Sequence, residues 1–145
     1  MAASRSSTRN YVLDANALIG FFEGRQPAAD RVRKLLAEAD RSDVPLWMSA
    51  VNWGEVYYIE WRHYGEAKAR EAEINLHRLP IVVQAVDCDR ATRAAAIKQK
   101  YNLGYADSFA AELAIERSAW LVTADPEFAR VGRTLSLMQL PRYET

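Results

Sequence analysis

Apolar residues follow two patterns along this chain. Short runs of consecutive apolar or β-favouring residues alternate with longer stretches in which apolar side chains recur every three or four positions. The first pattern predicts strands over Arg9 to Leu13, Leu46 to Met48, Ile81 to Val86, Trp120 to Thr123 and Leu135 to Met138. The second predicts helices. Asn16 to Glu23 is closed by Gly24, and a helix opening at Pro27 carries Ala29, Val32, Leu35, Leu36 and Ala39 on one stripe before the polar run Asp40 to Asp43. Ser49 is placed to cap a long helix from Ala50 to about Tyr64, which Gly65 breaks. A charged helix follows from Glu66 to about Arg78 and stops at Pro80. Asp89 is the expected cap of a helix over Arg90 to Tyr101, and beyond Gly104 a further helix runs from Ala106 to Arg117. Pro126 to Val131 is a short last helix.

Strands that alternate with helices and read as continuous apolar runs point to an α/β fold with a mostly parallel sheet of four to five strands, covered on both faces. No repeat or long linker divides the 145 residues, half of which are hydrophobic, so residues 10–145 are expected to form one domain behind a loose polar tail, residues 1–9. In such sheets ligands bind beyond the carboxyl ends of the strands. That is where acids fall. Asp14 follows the first strand and Asp125 follows the fourth. Glu55 sits on the inward stripe of the long helix between Val51 and Ile59, with Asn52 and Val56 on the same arc. Asp107 opens a helix whose Ala110, Ala111 and Ala114 allow close approach to the sheet.

Each acid also has a plain structural reading. Asp14 and Asp125 suit helix caps, and Arg62, two turns beyond Glu55, could pair with it. One site would account for all four positions. Two carboxylates about 4 Å apart repel by roughly 4 kcal/mol at an effective dielectric near 20, a cost that a divalent cation removes. All-carboxylate sites suit Mg²⁺ or Mn²⁺. Asn16 and Thr123, each two residues from an acid, could orient a carboxylate or a bound water.

Composition narrows the partners. The formal charge is zero, from 19 basic and 19 acidic residues, so no global basic field attracts nucleic acid. Setting the four acids aside leaves 15 acidic residues against 19 basic, a mildly positive remainder. Arg25, Arg31, Arg62, Lys98, Lys100 and Arg130 are candidate phosphate contacts. A single cysteine, Cys88, and two histidines offer no disulfide or zinc framework and fit a reducing cytoplasm. No apolar run is long enough to span a bilayer. Neither His63 nor His77 lies near one of the four acid motifs in sequence, which disfavours a histidine-based nuclease. Trp53, Tyr57, Trp61 and Tyr64 line the arc opposite Glu55, a surface for the next helix or for a partner protein.

In order and spacing, four segments together resemble a PIN domain, and within that family the VapC-type toxins of prokaryotic toxin–antitoxin pairs: Val12-Leu13-Asp14-Ala15-Asn16, Ser49 to Val56, Gly104 to Ala111 and Leu121 to Phe128. The resemblance runs from Tyr11 through Met138. It implies a three-layer α/β/α sandwich and a ribonuclease whose one or two Mg²⁺ or Mn²⁺ ions are held by acids matching Asp14, Glu55, Asp107 and Asp125. Asn16 and Thr123 match its supporting polar positions. It further implies a homodimer inhibited by a cognate antitoxin lying across the cleft. Two rivals are a PIN-like fold kept only for RNA or protein binding, and an aspartyl-phosphate phosphatase or receiver domain. Asn16 stands where the phosphatase usually carries a second acid.

Overall fold

Val12 and Leu13 are neighbours in the first strand, yet each belongs to a different hydrophobic core, as the two-residue repeat of a strand requires. The computed structural model describes residues 9–142; of the expected tail, all but Arg9 lies outside the described residues. Five short strands, β1 (Tyr11–Leu13), β2 (Leu46–Ser49), β3 (Ile81–Gln84), β4 (Trp120–Thr123) and β5 (Ser136–Gln139), form one sheet in the order β3-β2-β1-β4-β5. All four pairings are parallel.

Leu13, Met48 and Val122 share one core with Leu18 of α1 (Ala15–Phe22), Val32 and Leu36 of α2 (Ala28–Ser42), Val56 of α3 (Ala50–Tyr64) and Leu76 of α4 (Glu66–Arg78). Val12 and Leu121 share the other with Ala110, Ala111 and Ala114 of α6 (Tyr105–Glu116), and with Phe128 and Val131 of the 3₁₀ segment Pro126–Thr134. Ile97 of α5 (Cys88–Tyr101) packs against this second core. The result is the expected three-layer α/β/α sandwich. The three alanines of α6 are fully buried, which lets that helix lie close over β1, β2 and β4.

Strand order reverses at β1, since the chain leaves β1 for β2 on one side and later returns to its other side as β4. Ligands of open α/β sheets bind at such a switch point. Several boundaries differ from expectation. Helix α5 begins at Cys88 because the extended Asp87, not Asp89, caps it by accepting the Arg90 N–H at 2.9 Å. Helix α6 begins at Tyr105, so Asp107 lies inside its first turn. The third strand stops at Gln84 and the fifth is displaced by one residue. Ser49 caps α3 as expected, accepting the Val51 N–H.

Candidate metal centre

Asp14 leaves β1 with extended backbone and is buried at the N-cap of α1, where its Oδ1 accepts the Ala15 N–H at 2.8 Å. Its Oδ2 accepts the Thr123 hydroxyl at 2.9 Å. The Thr123 oxygen in turn accepts the Asp125 N–H at 3.0 Å, while the Asp125 carboxylate caps the 3₁₀ segment through the Glu127 N–H. Asn16 Oδ1 accepts the Ala124 N–H at 3.1 Å. The ends of β1 and β4 are therefore laced together by side chains with no helix between them.

Two helices bring the other acids. Asn52, fully buried on α3, donates to the Ala106 carbonyl at 3.0 Å and ties α3 to the first turn of α6, one residue before Asp107. A Cβ on Gly104 would stand 3.2 Å from Asp107 Oδ2, so the missing side chain leaves room for that carboxylate. One turn along α3 from Asn52, Glu55 has a buried Oε1 without a hydrogen-bond partner. The anticipated pairing with Arg62 does not form. Arg62 is exposed, and Glu55 faces other carboxylates.

Asp107 is the hub of the group. Carboxylate oxygens of Asp107, Asp125 and Glu127 lie within 4.8 Å of one another. Burial pushes the Asp107 carboxyl up to about 6, with the charges of Asp125, Glu55 and Glu127 adding. Asp14 is driven further, to about 8, by burial and then by Asp107; the Thr123 and Ala15 hydrogen bonds pull against the shift, and Glu55 adds a little. Burial also raises Glu55, against a hydrogen bond from Asn52. Among the described residues, no Lys, Arg or His nitrogen lies within 4.0 Å of the carboxylates of Asp14, Glu55, Asp107 or Asp125. An all-oxygen donor set with a buried, unpartnered carboxylate oxygen fits a hard divalent cation.

Sequence reasoning missed Glu127. Its signal was the spacing Asp125-Pro126-Glu127, but an acid in the first turn of an exposed helix is usually only a dipole partner. His63 is nearer the site than expected: it lines a cavity of about 220 Å³ together with Asn16 and Ala124. Most of the candidate phosphate contacts are otherwise engaged. Lys98 donates to Leu103 O and Arg130 to Asn102 O, both holding the turn before α6. Lys100 lies over the Tyr101 ring, and Arg25 is paired with Glu23. Arg31 is exposed on α2. On α3, Trp53, Tyr57 and Trp61 form an edge-to-face ladder with centroids about 6 Å apart. Trp53 packs into the first core, whereas Trp61 and Tyr64 remain about half exposed.

The model of the PIN domain family matches residues 11–134, and the chain belongs to that family. Within it, the fold resembles the VapC toxins of VapBC complexes. The chain is 17% identical to a protein of DNA-bound VapBC from Salmonella typhimurium, with a TM-score of 0.70 over 91% of this chain and 98% of that one. VapBC2 of Rickettsia felis, bound to a DNA fragment from its promoter, gives 16% identity and a TM-score of 0.69 over 90% and 98%. VapC20 of Mycobacterium tuberculosis, a sarcin–ricin loop cleaving toxin, gives 15% and 0.65 over 85% and 95%. No curated protein sequence matches the chain. PIN domains usually bind divalent metals, and a cluster of acidic residues, Asp107, Asp125 and Glu127, is present here.

Proposed function

We propose that the protein is a Mg²⁺- or Mn²⁺-dependent ribonuclease that hydrolyses RNA phosphodiester bonds and acts as the toxin of a type II toxin–antitoxin pair. The observation that carries this reading is the group of carboxylates around Asp107: Asp14 and Asp107 are raised in pKa by burial and by neighbouring acids, and among the described residues no side-chain cation lies within 4.0 Å of Asp14, Glu55, Asp107 or Asp125. A fold does not keep such repulsion for stability alone.

Asp14, Glu55, Asp107 and Asp125 would hold one or two ions, with Glu127 beside them. When bound, such an ion supplies a water activated for in-line attack and neutralises charge on the phosphoryl oxygens and the leaving 3′ oxygen. The protein's own part is positional. Thr123 fixes the rotamer of Asp14 and the start of the segment bearing Asp125 and Glu127; Asn52 fixes the height of Asp107 on α6. Asp14 and Asp107 release their protons as the site fills. No side-chain nucleophile is needed.

The partner proposed is a cognate antitoxin, supported by fold likeness to chains solved as VapBC complexes. The half-exposed Tyr58, Trp61 and Tyr64 of α3 offer aromatic anchors for it or for a second copy of this chain in a homodimer. No described helix is long and apolar enough to cross a membrane; the site of action proposed is the cytoplasm. Expression in a bacterial host tests the reading. Growth arrest by the wild type, loss of arrest with Asp14→Asn and relief by the small open reading frame beside the gene are expected. Arrest by Asp14→Asn as strong as by the wild type would refute it.

A further inference from the structure

After β5 the chain does not wander. The Leu140 N–H donates to Thr123 O at 2.7 Å, and Gln139 Nε2 donates to the same oxygen at 3.3 Å. Leu140 is buried, Pro141 restricts the next step, and Arg142 arrives at a cavity of about 310 Å³ that it lines with Asn16, Ala124, Asp125 and Pro126. The residue that holds Asp14 thus also anchors the backbone carrying this arginine.

Asp125 and Arg142 line one cavity, yet no ion pair joins them within 4.0 Å, and among the described residues Arg142 has no carboxylate partner. An exposed guanidinium that shares a cavity with Asp125 but forms no ion pair with it is available to an anion entering that cavity. Asn16 and Ala124 also line the second cavity, a mostly apolar one that includes Ile19, Ile59 and Leu140 together with Arg25 and His63. A charged end followed by an apolar one matches a phosphate and its attached base.

We propose that Arg142 seats a phosphate of single-stranded RNA beside the metal centre, by a bidentate contact, with the adjoining base over Ile19, Ile59 and Leu140. A guanidinium fork suits two phosphate oxygens better than an ammonium does. The inference rests on the ribonuclease reading and adds to it a residue and a direction for the bound strand.

The test is fluorescence anisotropy of a labelled single-stranded RNA with full-length protein on an Asp14→Asn background, across a salt series. Arg142→Ala should weaken binding about tenfold and flatten the slope of log affinity against log salt by about 0.7, one phosphate contact on a single strand. Arg142→Gln should behave alike, and Arg142→Lys should keep the slope while losing part of the affinity. Unchanged affinity and slope in Arg142→Ala would overturn the inference, as would unchanged RNA binding with lost capture of the antitoxin, which would assign the cavity to a protein. Tighter Mn²⁺ binding with an unaltered slope would make Arg142 a counter-charge for Asp125 and overturn it too. If the parent binds no RNA while the wild type cleaves it with Mn²⁺, the inference falls and the ribonuclease reading stands. If Arg142-dependent binding holds while the wild type never cleaves RNA with Mn²⁺, only the ribonuclease reading fails.

Discussion

Thr123 donates its hydroxyl to Asp14 Oδ2 across 109 residues of chain and accepts the Asp125 N–H with the same oxygen. One buried side chain therefore sets two of the acids. Thr123→Val keeps the shape but strands a buried carboxylate oxygen and a backbone N–H. The expected cost is about 1–3 kcal/mol in denaturant melts, and Mn²⁺ affinity by titration should drop about 10–100-fold. Thr123→Ser should recover most of both. Full Mn²⁺ affinity in the valine variant would mean that the acids do not depend on this bridge.

Gly104 separates binding from folding. Its backbone, φ −60° and ψ 153°, is ordinary for any residue, so alanine adds no backbone strain there. The new Cβ would crowd Asp107 Oδ2 at 3.2 Å. Gly104→Ala should stay within about 0.5 kcal/mol of wild-type stability and bind Mn²⁺ several-fold more weakly. A large loss of stability with normal Mn²⁺ binding would contradict this placement of Asp107.

Metal-free stability should fall as pH rises. Asp14 and Asp107 are raised from 3.8 to about 8 and about 6 in the fold, and Glu60, buried on α3 against Glu23, from 4.5 to about 7. The folded state then binds more protons than the unfolded one between those limits, so stability is full near pH 4, declines upward, and levels off near pH 8. Melting temperature measured from pH 5 to 8 should drop by several degrees with chelator present. The added stabilisation by Mn²⁺ should grow over the same range, because the ion replaces protons at Asp14 and Asp107. A rising metal-free profile would contradict the burial of these acids.

Much of the architecture was legible because it depends on local periodicity and punctuation. β4 was predicted to the residue, and α3 and α4 match their predicted spans, bounded by the Ser49 cap and the Gly65 break, where φ is +95°. Asp14, Glu55 and Asp107 could be singled out because a carboxylate after an apolar strand or on an apolar helical face is costly to leave alone. What links them was not legible. The Asn52–Ala106 bond, the Gly104 vacancy and Glu127 depend on how α3, α6 and the 3₁₀ segment meet, which no local pattern encodes. Arg62 looked like a partner for Glu55 on a helical wheel, but two turns of rise carry it into solvent.

Asp14→Asn exchanges a repelled, buried carboxyl for a neutral group of the same shape. Without metal at pH 8 it should melt above the wild type, since the Asp107 repulsion is gone. It should gain almost nothing from Mn²⁺. A variant less stable than wild type and still stabilised by Mn²⁺ would show Asp14 to be a helix cap only.

The most direct measurement is cleavage of a labelled, structured RNA by purified wild type and Asp107→Asn as Mn²⁺ is added and then chelated. Cleavage should require Mn²⁺, stop with chelator, and fall about a hundredfold or more in the variant while circular dichroism is unchanged. Equal cleavage by a folded Asp107→Asn, or cleavage that persists in chelator, would contradict a carboxylate-held metal centre.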